Sequence, residues 1–413
     1  ALGQEGLRPV LRRVLRSLTA TAEARLEGEV AAMLHPPGSP LVTSVTRIEA
    51  FARCPFAHHA RHHLRLMERP RRELGGADLG RLYHGVLDRF ITRLIGGKQR
   101  LSELSDEALT GAIASITAGT IRDFHDALML AEPSIRYRLG RSADRLTRAL
   151  RTHRFFARGS STAPTATEVV FAERGRLPML RIVTPKGREV RLRGMIDRVD
   201  TVDLGDSLGV VVLDYKTTRG IRLDLAEAHH GLALQLMGYL LVLREHGRLL
   251  TDGRPLRLIG AFYAPLHAGY KTQDGPPGEG DTDEKVEGFK WRGLFDMDWY
   301  KVLDGEIEQG WSKRIALFVG SKGRLGHLEK CDAATGEQLA GLLEHTRRMI
   351  GLHGDRILDG CIEVHPARLN DASPCVYCPY AGVCRFEPEE TGYRHLAWMG
   401  RQAVLGDFGA FPA

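Results

Sequence analysis

The segment Gly194 to Lys216, GMIDRVDTVDLGDSLGVVVLDYK, restricts the fold more than any other stretch of the chain. Apolar runs at Met195-Ile196 and Val210 to Leu213 flank the breaker-rich Asp203-Leu204-Gly205-Asp206, so the segment reads as two strands joined by a turn. One strand carries Asp197 and the other ends in Asp214-Tyr215-Lys216. Strand alternation points the side chains of Asp214 and Lys216 to the same face, so a carboxylate and an ammonium share one pocket. Carboxylates at the end of an apolar strand are costly to desolvate unless a cation meets them. Two of them converging beside a lysine suit a hydrated divalent ion, with Mg²⁺ the natural candidate. The bland alternative is an edge-strand salt bridge between Asp214 and Lys216, with Asp197 solvated in a turn.

A chain of 413 residues with 43% hydrophobic content can bury a large core, as two or three domains or one elaborated α/β unit. Its 58 Lys+Arg against 51 Asp+Glu give a formal net charge of +7, which favours a polyanionic partner, and the many arginines suit phosphate contacts. The longest apolar run, within Leu232 to Leu243, is interrupted by Gln235 and Gly238 and is too short to span a bilayer. Together with the lack of a secretory leader, this predicts a cytoplasmic protein with no membrane partner. Residue 1 is Ala rather than Met and opens directly into helical pattern, so the sequence reads as a piece of something longer.

Residues 2–33 show helical spacing of apolar positions such as Leu7, Val10, Leu11 and Val14, and 35–40 is a Pro-rich linker, making 1–40 a helical stub. From there 41–413 reads as one domain. Ser44 to Ala52 is predicted as a helix with Thr46 and Glu49 spaced as a capping box, delivering the chain to Cys54-Pro55-Phe56. His58, His59, His62 and His63 follow among arginines, distributed around more than one helical face, and read as a solvated or phosphate-facing surface rather than a metal site. Leu79 to Ile95 is a strongly periodic helix with His84 near its start. A helical insertion over 101–157 carries Arg141, Arg145, Arg148, Arg151 and Arg154 as a basic stripe able to track DNA. Strands are expected at 167–173, 180–184 and 189–200. Ala226 to Glu245 reads as one buried helix presenting Gln235 and Tyr239 four residues apart, and Leu256 to Leu266 as a further strand. The 267–290 segment reads as a flexible loop, and 291–315 and 336–357 as helices.

Six cysteines occur, at 54, 331, 361, 375, 378 and 384. The last three form C-x₂-C-x₅-C in a 375–384 loop, and three thiolates so close want a soft metal and a fourth ligand, for which Cys54 is the best candidate. Zinc, an iron–sulfur cluster and disulfides all satisfy thiols at this spacing, although a long chain without a leader disfavours disulfides. Cys331 and Cys361 read as ordinary buried thiols.

In order along the chain, these motifs resemble the PD-(D/E)XK nuclease superfamily, and within it the RecB-like, AddB-type helicase–nuclease subunits, over about residues 41 to 390. The resemblance implies an α/β fold with a central mixed sheet flanked by helices, carrying helical insertions and a cysteine-ligated cluster that joins the two ends. It implies that His84 in Gly80-Arg81-Leu82-Tyr83-His84, together with Asp197, Asp214 and the Tyr215 carbonyl, holds Mg²⁺ (or Mn²⁺), that Lys216 is catalytic, and that Gln235 and Tyr239 contact the site near DNA. It further implies that Cys54, Cys375, Cys378 and Cys384 carry a [4Fe-4S] cluster of structural rather than electron-transfer role. The expected activity is Mg²⁺-dependent hydrolysis of single-stranded DNA, exonucleolytic, in end processing for recombinational repair in a bacterial cytoplasm, alongside an AddA-like helicase/nuclease subunit. No GxxxxGK[ST] loop occurs in the chain, so ATP hydrolysis is not expected of it. Two other readings share the motifs: a standalone CRISPR-associated-type iron–sulfur exonuclease, and a nuclease-inactive DNA-binding scaffold.

Overall fold

The computed structural model describes residues 24–69, 74–123, 132–218, 220–267, 286, 288–390 and 392–410. The helix expected over most of 2–33 and nearly all of the 267–290 loop lie outside the described residues, though 28–34 is helical.

A six-stranded mixed sheet forms the centre. Its strands are β1 (Ala163–Phe171), β2 (Gly194–Asp203), β3 (Leu208–Lys216), β4 (Leu256–Pro265), β5 (Arg292–Asp296) and β6 (Ala333–Ala334). They lie in the spatial order β6-β5-β4-β3-β2-β1. β1, β2 and β3 run antiparallel, β2 and β3 through a short turn and β1 and β2 through residues 172–193, whereas β3 and β4 pair in parallel. A parallel pair needs a crossover, and the helical segment between β3 and β4 supplies it. The helices used below are α1 (Val45–Arg53), α2 (Pro55–His62), α3 (Gly76–Gly96), α4 (Asp106–Asp123), α5 (Ser142–Gly159), α6 (Gln235–His246) and α7 (Gly336–Leu358).

Because β3 is apolar at every position from Val210 to Leu213, it can be covered on both faces, and it is. Val210 and Val212 pack with Phe51 of α1, Leu236 and Leu240 of α6 and Leu342 of α7. Val211 and Leu213 pack with Leu82 and Phe90 of α3 and Leu146 and Leu150 of α5. Each fully buried aliphatic or aromatic side chain contributes about 1.5–3 kcal/mol, so the sheet ends that carry the polar residues are held by a deep two-sided core.

Several local expectations are corrected. Ala226 to Glu245 is two helices, Leu225–His229 and α6, because Gly231 between them adopts φ +77°, a left-handed conformation that ends the first helix. Trp291 to Ile315 is not helical as a whole: it contains β5, paired on both sides in the central sheet, and the short strand Gly310–Trp311 of a separate three-stranded sheet. Residues 180–183 and 189–192 form strands, but of a separate small sheet completed by Leu41–Thr43. The Thr46–Glu49 capping box does not form: Ser44 is the cap of α1, accepting from the Arg47 amide, and Thr46 lies within the helix.

The arginine stripe of α5 lies mostly at the surface: Arg141, Arg145, Arg148 and Arg151 are exposed and Arg154 is half-buried. Arg151 and Arg154 both reach Asp106 at the start of α4, and Arg145 donates to the Tyr83 hydroxyl of α3. The Asp106 bonds tie α5 to α4 within the insertion and the Tyr83 bond ties it to α3, so three of these exposed or half-buried arginines already have partners within the protein. No described helix is long and apolar enough to cross a membrane.

Candidate active site

The antiparallel register brings Asp197 of β2 beside the end of β3, where Asp197 Oδ2 accepts from the Tyr215 amide at 2.8 Å. Asp197 is 7% exposed and Asp214 2%. Lys216 Nζ lies 2.5 Å from Asp214 Oδ2 and donates to Gln235 Oε1 at 3.0 Å. Gln235 Nε2 in turn donates to Asp214 Oδ1 at 3.3 Å and to the Tyr239 hydroxyl at 2.7 Å. His84 of α3 sets Nδ1 3.4 Å from Asp197 Oδ1. Six of the residues singled out from the sequence therefore meet in one place, drawn from α3, β2, β3 and α6.

Two members were not foreseen. Glu168 lies on β1 between Thr167, opposite Arg198, and Val169, opposite Ile196, which sets it across the ladder from Asp197. Donor atoms of His84, Glu168 and Asp197 all lie within 4.8 Å of one another, the one such histidine–carboxylate group among the described residues. Glu168 has φ +44°, a conformation a strand residue other than glycine adopts only when its surroundings force it, and such strain collects at functional sites. Glu49 is the second. Its carboxylate accepts from the Leu234 and Gln235 amides, at 2.6 and 2.9 Å, capping α6 from outside and fixing where Gln235 begins that helix.

The electrostatics match a site built for a dication. Burial, and then the neighbouring Asp197 carboxylate, push the Asp214 carboxyl up to about 7 against the opposing pull of Lys216. Burial and Asp197 likewise raise Glu168. Burial disfavours charge on His84, but its contact with Asp197 outweighs this and the net direction is up. Burial, with Asp214 and Asp197 nearby, holds Tyr239 well above the usual phenol range, so it stays a donor. Crowded carboxylates with raised proton affinity are what a hard divalent ion relieves, and the His/Glu/Asp donor set fits Mg²⁺ or Mn²⁺. Asp214 sends its oxygens to Lys216 and Gln235 rather than into the His84–Glu168–Asp197 triplet, a difference from the expected ligand set.

The Tyr215 ring points away from the site, to the face it shares with Leu213. There its hydroxyl accepts from Arg198 Nη1 at 3.2 Å, and Arg198 donates twice to Asp200 at 2.6 Å. This buried pair anchors the strand whose amide holds Asp197.

Cys54 and Cys375 are near enough to influence each other, as are Cys375, Cys378 and Cys384, but no three of the four sulfurs lie within 4.8 Å of one another among the described residues. Burial raises the Cys54 thiol, with Cys375 adding to the effect, and Cys375 is raised by burial with Cys378 and Cys384 nearby. All are free thiols. The two ends of the domain are joined around them: the Phe56 amide donates to Glu363 O at 3.1 Å, and the Tyr380 hydroxyl to Leu66 O at 3.2 Å. Cys331 is buried and Cys361 partly so.

Residues 42–385 match the family described as the PD-(D/E)XK nuclease superfamily. The chain is also similar to bacterial proteins named as one subunit of an ATP-dependent helicase/deoxyribonuclease. That of Heliobacterium modesticaldum is 33% identical over 378 residues, covering 87% of this chain and 31% of that protein. Those of Geobacillus kaustophilus and Bacillus subtilis are 31% and 30% identical, covering 89% and 92% of this chain and 32% and 33% of theirs. The chain thus spans about a third of the length of the curated relatives it matches.

Proposed function

Because the chain belongs to the PD-(D/E)XK nuclease superfamily, we propose that it is a divalent-metal-dependent deoxyribonuclease acting on single-stranded DNA, exonucleolytically, in the processing of DNA ends. The observation that carries this reading is the meeting of His84, Asp197, Asp214, Lys216 and Gln235 at the end of one strand pair. His84, Glu168 and Asp197 would hold Mg²⁺ or Mn²⁺, with Asp214 and the Tyr215 carbonyl beside them. Such an ion polarises a phosphodiester and lowers the pKa of its water. Lys216, held between Asp214 and Gln235, places a positive charge where an attacking oxygen and the developing phosphorane charge would be stabilised. Gln235 and Tyr239 form a donor chain that fixes Lys216 and can meet a DNA phosphate or base.

Cys54, Cys375, Cys378 and Cys384 would carry a [4Fe-4S] cluster, whose role is to crosslink the ends of the domain across a long loop. The names of the similar proteins support a place as one subunit of a helicase–nuclease assembly; we propose an AddA-like partner and a bacterial cytoplasm from the motif resemblance. The test is cleavage of end-labelled single-stranded oligonucleotides with and without Mg²⁺, alongside iron, sulfide and visible absorption measurements. Mg²⁺-dependent shortening that is lost in Asp214→Ala and Lys216→Ala is expected. Wild-type chain that binds DNA in Mg²⁺ without cutting it would overturn the enzymatic reading in favour of a scaffold.

A further inference from the structure

The histidines after Cys54 are not the solvated surface their sequence spacing suggests. His58 and His59 are 5% and 6% exposed. With His62, His63 and His35 they gather where α2 meets the 34–43 segment, and His35, His58, His62 and His63 line a cavity of about 190 Å³ there. The acidic site described above involves none of them.

We propose that this cavity is a further metal site, for a borderline divalent transition ion such as Zn²⁺, with His63, His35 and His58 as ligands and His59 as the outer partner of His63. Four observations carry it. The His59 and His63 Nδ1 atoms lie 3.0 Å apart, so one ring donates to the other. With His63 as donor, its Nε2 lone pair is left free, the arrangement in which a ligating histidine is oriented by a second residue. His35 Nε2 is buried without a hydrogen-bond partner, an acceptor or donor that nothing in the described structure satisfies.

The ring spacing is also right. Zn–N bonds of about 2.0–2.1 Å at tetrahedral angles put neighbouring imidazole centroids about 5.2 Å apart. The His35–His63 and His58–His63 centroids are 5.2 and 5.3 Å apart. Finally, none of the five histidines pairs with a carboxylate among the described residues, and burial lowers their proton affinity, to about 3 for His58 and about 4 for His63. Their lone pairs are therefore available at neutral pH, and metal need not displace a proton. The donors have not converged: no three of these rings have nitrogens all within 4.8 Å of one another, so the rings must reorient when the ion binds. Arg47 also lines the cavity, and its charge favours an anionic fourth ligand such as hydroxide.

The test is Co²⁺ titration of the untagged 413-residue chain, with its cysteine site loaded, followed by visible absorption and metal counting after desalting. The wild type should bind one more ion than His35→Ala/His63→Gln. The lost absorption should show d–d bands without thiolate-to-cobalt charge transfer. His327→Gln, at an exposed position elsewhere, should keep the ion, and His59→Gln should weaken it roughly 10- to 100-fold, as loss of an outer partner does. If the double variant does not fold, His35→Ala alone, outside the helix, should still lower the affinity. Equal stoichiometry in folded wild type and variants, or a lost signal with thiolate character, would overturn the proposal. So would protection of the cavity by inorganic phosphate but not by Co²⁺.

Discussion

Removing Arg198 should damage the protein far more than removing Arg198 together with Asp200. Arg198 is 2% exposed and Asp200 1%, and two bonds of 2.6 Å join them. Burial opposes the Arg198 charge, yet Asp200 and Tyr215 more than offset it and the guanidinium is held charged. In Arg198→Met the Asp200 carboxylate is left buried with its partner gone, and breaking such a pair costs about 3–5 kcal/mol. With a urea m-value of about 3 kcal/mol/M, that is a fall of about 1–2 M in midpoint. In Arg198→Met/Asp200→Leu no charge remains to strand, and replacing a buried pair with apolar groups is often neutral, so the midpoint should return to within about 1 kcal/mol of wild type. Urea unfolding followed by circular dichroism measures both variants. The pair also anchors Tyr215, whose amide holds Asp197, so the single variant should lose cleavage along with stability. A single variant no less stable than the double would refute the reasoning that the pair is a closed unit under the site.

Other outcomes follow from the same geometry. Glu168→Gln should weaken Mn²⁺ binding by more than the roughly 10- to 100-fold cost of losing an outer partner, as read by calorimetry; unchanged affinity would remove Glu168 from the site. Glu49→Leu leaves the start of α6 uncapped, at a cost of about 1 kcal/mol, and should slow cleavage through misplacement of Gln235, with near-normal circular dichroism. For pH, Asp214 has a folded pKa raised to about 7 from an ordinary 3.8. Its contribution to the stability of the metal-free chain is therefore fully present below about pH 4 and is lost as pH rises toward 7. Mg²⁺ should reverse that loss, and its apparent affinity should climb over the same interval in a thermal-shift series. Gly231→Ala, at φ +77° and with a built Cβ 2.7 Å from His353 Nε2, should cost about 1–2 kcal/mol, measured as a lowered unfolding midpoint.

Much of the site was legible because strand alternation is local. Asp214 and Lys216 had to share a face, and the turn between the two strands had to bring Asp197 near them. His84, Gln235 and Tyr239 were reached by resemblance, and the fold brings them to the same point. Glu168 was hidden because its role depends on which strand pairs with β2 and in what register, and nothing within Thr167 to Glu173 marks one acid as special. Glu49 was misread for a related reason: a local cap was available on paper, while the amides it serves lie 185 residues away. The arginine stripe is the surface its spacing suggests, but spacing does not report partners, and Asp106 and Tyr83 engage Arg145, Arg151 and Arg154. The helix expected across 291–315 failed where its short apolar periods were those of strands, β5 among them.

The central claim is that His84, Glu168 and Asp197 surround a single divalent ion beside Asp214 and Lys216. An anomalous difference map at the manganese edge, from crystals of the chain grown with Mn²⁺, addresses it directly. The account predicts one strong peak between the His84 ring and the Glu168 and Asp197 carboxylates. Full occupancy elsewhere, with those three side chains free of metal, would contradict it.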